Sequence, residues 1–271
     1  MGKKKQGKRK NLTKSLIAIG GLAFLILIWF SVSLILKSNG NNVLPYPHET
    51  LSRSIYFLFG ESASRTWGNI GWTLLRLLIG YGISFLLAMV LGTLAGLFPY
   101  VKSFFSAGIG LFKVLPTAAV TIVLIGILFG PENRDIRVFI PSMLTFLVAF
   151  PVIYESFVKG MEEESRDIND ALDLEGGHRR IASILKVHYP DSLPYITLAL
   201  AQSLGLSLKV SIMSEVLTAS GSNRLGIGGM IVIASQTGGV EDIMAYSLIA
   251  VFTMFLLDLP LFLIKYRRSG R

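Results

Sequence analysis

Cysteine is absent from all 271 residues, so the chain forms neither a disulfide nor a thiolate metal site. Histidine is nearly absent too: His48, His178 and His188 are too scattered to suggest an imidazole cluster. Charge is scarce at 16%, against roughly 25% in ordinary soluble domains, while 52% of residues are hydrophobic. The mean hydropathy is +0.59. No Walker A sequence is present, so this chain by itself has no P-loop for ATP. Gly226-Ile-Gly228-Gly229 lacks both a preceding strand and the full dinucleotide fingerprint. No pattern gathers Ser, His and Asp into a catalytic set. The net charge of +9 does not argue for nucleic acid, because the basic residues flank apolar runs, as they do in membrane proteins.

Those runs set the organisation. Residues 1–14 hold Lys3, Lys4, Lys5, Lys8, Arg9, Lys10 and Lys14 and read as a basic cytoplasmic tail. Ser15–Leu36 is then apolar for 22 residues, about 33 Å of helix, enough to cross a bilayer. It exceeds the roughly 7–15 residues of a signal-peptide core, and no small-x-small cleavage site follows. Residues 37–69 read as an external loop with a short interfacial helix near Leu51–Phe59. Further spans are expected at Ile70–Leu97, Phe105–Phe129, Ile136–Gly160, Tyr195–Ala219 and Ile243–Ile264. Pro141 and Pro151 are expected to bend the fourth. Ser220–Asp242 is Gly-rich and loop-like, re-entrant around Leu225–Ser235. The fold class is therefore all-α, a polytopic membrane protein of about six transmembrane helices. Residues 70–268 form its core domain.

The longest polar interval between the apolar segments is residues 161–194. It carries Glu162, Glu163, Glu164, Asp167, Asp170, Asp173, Glu175 and Asp191, about half of the 17 acidic residues. Such charge is excluded from hydrocarbon by its desolvation cost. Ile181, Ile184, Leu185 and His188 fall on one helical face at i, i+3, i+4, i+7. Gly176-Gly177 breaks the pattern before them, and Pro190 is expected to stop it after. A helix, a break, a second helix and a stop, held out on one side of the membrane, suits a docking element for a partner. With this loop inside, seventeen Lys/Arg lie on the inner side and six on the outer. That asymmetry places both termini in the cytoplasm.

Ionisable residues within spans are the default functional candidates. Arg76, Lys209 and Glu215 are the pathway candidates. Lys113 and Asp258, near span ends, are expected to snorkel. Gly80, Gly82, Gly92 and Gly96 are expected to allow close helix packing, Gly92–Gly96 being a GxxxG match.

Several stretches, in order and on this topology, resemble one family. In the polar loop these are Asp170-Ala171-Leu172, Gly176-Gly177 and Tyr189-Pro190. Elsewhere they are Thr73-Leu-Leu-Arg76, Lys113-Val-Leu-Pro116, Phe150-Pro151, Ser214-Glu215-Val216 and Leu225-Gly226-Ile227-Gly228. The chain resembles the membrane subunits of ATP-binding-cassette importers of the nitrate/sulfonate/taurine type, over residues 44–268. Asp170 stands where the family has Glu, Leu172 where it has Ala, and Tyr189 where it has Leu.

The resemblance implies a bacterial inner-membrane permease without catalytic chemistry, working as a homodimer in membrane lipid. Cytoplasmic ATPase subunits would carry the ATP and Mg. An extracytoplasmic solute-binding protein would deliver a nitrate-, sulfonate-, taurine- or bicarbonate-like anion or a vitamin precursor. The ATPase-coupling residues would be Asp167, Asp170, Ala171, Leu174, Gly176, Gly177 and Pro190. A secondary transporter or membrane enzyme using Arg76, Lys209 and Glu215 directly is the competing expectation.

Overall fold

The structure, a computed structural model, describes residues 2–128, 130–163, 181–219 and 224–269. Among them there are helices and turns and no strand. The helices are α1 (Gly2–Ser38), α2 (Pro47–Phe59), α3 (Ala63–Leu97), α4 (Pro99–Val114), α5 (Thr117–Ile127), α6 (Arg134–Arg137) and α7 (Ile140–Glu162). They continue with α8 (Ile181–Thr218), α9 (Gly226–Thr237) and α10 (Val240–Ser269). Five helical stretches among the described residues are long and apolar enough to cross a membrane, six when α4 and α5 count as one broken span. The molecule is a polytopic helical membrane protein, as the apolar runs indicate.

The contacts divide the chain into two compact units. The first comprises residues 1–63 and 233–249. Its long helix α1 is apolar all round and exposed along its crossing segment, which a helix sustains only against lipid or another chain. The turn after it is tied back by polar groups. Trp29 Nε1 and Ser33 Oγ donate to the Pro45 carbonyl at 3.1 and 3.0 Å. Pro47 opens α2, where its missing N–H costs nothing, and Glu49 accepts the Tyr46 N–H at 2.8 Å. The Lys37 ammonium joins Glu49 at 2.7 Å and lies 4.0 Å from the Tyr46 ring centre. Arg53 pairs with Asp242, and Phe57 stacks on Tyr246 at 4.4 Å, so α2 lies on the first turns of α10.

The second unit comprises residues 64–232 and 250–271. Its core is α3, α7 and α8. Helices α3 and α7 run parallel, because Gly80 meets Ser142, Gly92 meets Tyr154 and Phe157, and Gly96 meets Met161. Helix α8 runs antiparallel to both. Tyr81 donates to the Leu200 carbonyl at 2.7 Å, Thr93 and Tyr189 share a bond of 3.1 Å, and Gly160 abuts Ser192. Ala88, Ala95, Ala149, Ile153, Phe157 and Ile196 fill the space between. Small residues are what let the backbones come this close, since helices in lipid gain their association from packing.

Several sequence expectations are revised. The expected short helix near Leu51–Phe59 is present as α2 and starts earlier, at Pro47, while α3 begins at Ala63, inside the stretch read as loop. The third span is two helices bent by 94°. Pro116 forces Leu115 into an extended conformation (φ −62°, ψ 122°), which ends α4. Pro141 lies in the first turn of α7, where proline is tolerated, and Pro151 lies in the interior.

Pro190 does not stop a helix. The run from Ile181 passes through a π turn at Ile184–His188, with the Tyr189 N–H bonded five residues back to the Ile184 carbonyl. That wider register accommodates the proline, and α8 continues to Thr218. The face proposed from Ile181 is not a buried one: Ile181 and Leu185 are exposed, and His188 is buried. The Gly-rich segment holds a helix of 12 residues, about 18 Å long and too short to cross a hydrocarbon core of roughly 30 Å.

Two outcomes test this packing. A Cβ at Gly80 would lie 2.2 Å from the Ser142 carbonyl oxygen, whereas one at Gly82 meets nothing within 4 Å. Gly80→Ala therefore destabilises by about 1–3 kcal/mol, while Gly82→Ala is neutral or gains up to about 1 kcal/mol from helix propensity. Thermal melts in detergent read the difference.

The second outcome is a pH effect on the α1–α2 turn. Hydrogen bonds from Lys37 and the Tyr46 N–H hold Glu49 below its usual 4.5. A depressed carboxylate stabilises fully above its unfolded value and loses that contribution as pH falls through the folded one. In a Trp67→Phe, Trp72→Phe background, Trp29 fluorescence should change as pH falls below about 4.5. The Glu49→Gln variant should lack that transition.

Candidate functional site

A line of polar residues runs along α3. Asn69, Thr73 and Arg76 fall at i, i+4, i+7 and share one buried face of an otherwise apolar helix. Opposite them is Glu215, on the last turns of α8. The Arg76 and Glu215 side chains are 3% and 0% exposed, and Arg76 Nη1 donates to Glu215 Oε1 at 2.7 Å.

The third participant is the start of α9. A helix N-terminus leaves its first amides without intrahelical partners, and here they are satisfied by other helices. The Gly226 N–H donates to Asn69 Oδ1 at 3.1 Å, the Ile227 N–H to Thr73 Oγ1 at 2.8 Å, and the Gly228 N–H to Glu215 Oε2 at 3.0 Å. The Thr73 hydroxyl accepts from Ile227 and in turn donates to Glu215 Oε2 at 2.9 Å. Arg76 completes the cage from its other side. It donates to the Leu225 carbonyl at 3.4 Å and also to the Arg224 carbonyl. The Trp72 ring stands 4.8 Å from the Arg224 guanidinium and 5.8 Å from that of Arg76.

The glycines are required by this arrangement. Gly226 has φ +72°, and a Cβ on it would lie 2.2 Å from Glu215 Oε1. A Cβ on Gly228 would lie 2.3 Å from the Ile212 carbonyl oxygen. The carboxylate thus sits against the amide end of α9, where the helix dipole favours negative charge, and against a guanidinium. The network clamps the start of α9 to α3 and α8.

A second polar cluster lies where α7 ends. The described chain leaves α7 at Glu163 and resumes at Ile181. Glu162 pairs with Lys102, and the Tyr195 hydroxyl donates to Glu163. Together with the contact of Gly160 on Ser192, these bonds fix the two helices from which the 161–194 loop is held.

The pathway candidates separate. Arg76 and Glu215 meet. Lys209 does not join them; it is exposed, and six residues on a helix place it on a different face from Glu215. Lys113, expected to snorkel, instead pairs with Glu155 of α7. Asp167, Asp170, Ala171, Leu174, Gly176 and Gly177 lie outside the described residues, and Pro190 lies in the opening turn of the straight part of α8. Asn69, the capping role of Thr73, and Glu155 escaped the sequence reading. For the first two, the i, i+4, i+7 spacing of polar residues in an apolar run was the available signal. For Glu155 it was a single carboxylate inside the fourth span.

Fold and network together define a multi-pass helical membrane protein in which a buried ion pair secures a short apolar helix. Residues 84–267 match the family of binding-protein-dependent transport system inner-membrane components, and the chain belongs to that family. It is an ABC transporter permease subunit by family. It is 25% identical over 212 residues to a probable ABC transporter permease protein of Brucella melitensis biotype 1, which covers 77% of this chain and 76% of the relative. A probable ABC transporter permease protein of Brucella abortus matches over the same length at the same identity, with 75% of the relative covered. Asn69, Thr73 and Arg76 lie upstream of the residues that match the family.

The buried pair makes a measurable prediction. Glu215→Gln leaves the Arg76 charge buried and uncompensated, at about 3–5 kcal/mol of stability. Arg76→Met combined with Glu215→Gln removes both charges, keeps an amide oxygen for the Gly228 N–H, and should recover more than half of the loss. A double-mutant cycle of detergent melts checks the coupling.

Proposed function

We propose that this chain forms the solute pathway of an ATP-binding-cassette importer of the nitrate/sulfonate/taurine type, as one of two identical permease subunits. Separate cytoplasmic ATPases dock on the 161–194 loop. Its segment from Arg166 to Leu174 enters a groove on each of them, with Gly176, Gly177 and Pro190 as further coupling residues. An external binding protein delivers the solute. Both termini and the docking loop face the cytoplasm, the side to which seventeen Lys/Arg are assigned against six outside.

The observation that carries this reading is the polar interval itself, held between two packed apolar helices in a chain of this family. An acidic loop so firmly based transmits a displacement into α7 and α8. ATP supplies that displacement on the partner chains, and the spans rock between inward- and outward-facing states according to which state each ligand binds better. A secondary transporter or enzyme using Arg76 and Glu215 directly is less well supported, because both groups are taken up by each other and by the backbone of α9.

Asp170→Lys together with Ala171→Arg should reduce co-purification of the ATPase at least about tenfold while membrane insertion is unchanged, a loss on the order of 1.4 kcal/mol. Undiminished co-purification would falsify the docking assignment. Transport in liposomes driven by an ion gradient, with no ATPase present, would remove the importer reading altogether.

A further inference from the structure

Helices α4 and α7 pack through apolar residues, Ile109 and Phe112 against Phe150 and its neighbours, and a seam of polar residues borders that contact on its exposed side. On α7 the exposed positions of the second half are Glu155, Lys159 and Glu162, at i, i+4, i+7. On α4 the line bordering the contact is Lys102, Ser106, Gly110 and Lys113, all exposed. Ion pairs close the seam at both ends, Lys102 to Glu162 and Lys113 to Glu155. The inner pair lies about 10 Å of helix from the end of α7, beside the 94° break after α4. Its side chains are 43% and 47% exposed.

Hydrocarbon does not tolerate a half-exposed ion pair at that depth. Lysine can snorkel along its stem, but the shorter glutamate has no such reach. The other side of α7 is taken up by the core residues Ile153, Tyr154, Phe157 and Val158. The open side therefore faces water or a second chain rather than lipid.

We propose that this seam is an aqueous vestibule leading from the loop end of the bundle to a solute station at Lys113 and Glu155. The proposal deepens the permease reading and rests on it for the identity of the solute as cargo. The two charges already satisfy each other, so a solute that separates them must replace both partners. It carries an anionic group for Lys113 and a hydrogen-bond donor, such as an ammonium, amide or hydroxyl, for Glu155. A bare inorganic anion satisfies only Lys113 and leaves the Glu155 carboxylate without the partner it had.

The absence of native cysteine makes the test direct. Gly110→Cys places a thiol in open space on the seam, and Leu86→Cys places one on the exposed apolar face of α3. In membrane vesicles, water-soluble methanethiosulfonates bearing either a sulfonate or a quaternary ammonium should label Gly110→Cys at least tenfold faster than Leu86→Cys. Added to Gly110→Cys, Glu155→Gln should raise the sulfonate-to-ammonium rate ratio and Lys113→Gln should lower it, each by about threefold or more. Labelling no faster than at Leu86→Cys overturns the vestibule. So does cross-linking of Gly110→Cys between two copies with loss of labelling, which makes the seam a subunit interface. A ratio unmoved by either glutamine variant overturns the station. None of these readouts needs the ATPase, so failed ATPase docking with an intact labelling pattern would count against the importer reading and leave the vestibule standing.

Discussion

The organising interaction is the buried salt bridge of Arg76 and Glu215. Two charges out of water cost several kcal/mol each, and their attraction offsets that only when the remaining lone pairs and protons are also satisfied. Here most are met: the carboxylate takes bonds from Thr73 and Gly228, and the two terminal guanidinium nitrogens give bonds to Glu215, Arg224 and Leu225, while Arg76 Nε is buried without a partner. The same groups solve a second problem, since the first amides of α9 have no partners of their own. In a low-dielectric setting an unmet backbone N–H is as costly as a lost hydrogen bond. One pair of charges thereby secures three helices, and each helix needs the other two.

The rest of the second unit follows from how close those helices must come. Glu215 reaches the amides of α9 only because Gly226 and Gly228 carry no side chain there. Arg76 reaches Glu215 only because α3 lies close against its neighbours, and Gly80, Gly92 and Gly96 permit that against α7. Polar bonding and small-residue packing are thus one constraint seen twice. The short glycine-rich helix is apolar enough for the membrane yet too short to cross it, and its N-terminal end is held by donors and acceptors from elsewhere in the sequence.

Much of this architecture was visible in the residues before any coordinates. Apolar runs of twenty or so residues announce spans because hydrocarbon admits little else, and all-helical structure follows from the same rule. The boundaries were less legible. Asn69 looks like a loop residue, yet α3 begins at Ala63 and Asn69 lies within it, where its side chain caps α9. Pro190 looks like a stop, but a π turn upstream absorbs it. Pro116 looks like a kink in one span, and it turns the chain through 94° instead. In each case a long-range or backbone-register effect overrode the local signal. Arg76 and Glu215 could be named as candidates from their position inside spans. Their pairing could not, since nothing in a single sequence says which faces of α3 and α8 meet.

Helix α8 joins the two polar clusters. It resumes the chain at Ile181, at the base of the acidic loop, and carries Glu215 near its other end. The π turn and Pro194 are both near the loop, so from Pro194 to Glu215 the helix runs about 32 Å without a proline. A displacement imposed near Ile181 would meet the irregular turns first and the regular helix after them. It would meet a clamp with few intermediate positions, because Glu215 loses its bonds to Arg76, Thr73 and Gly228 together once it moves by more than a hydrogen-bond length. A continuously yielding contact would dissipate such a motion. A cooperative one holds or releases.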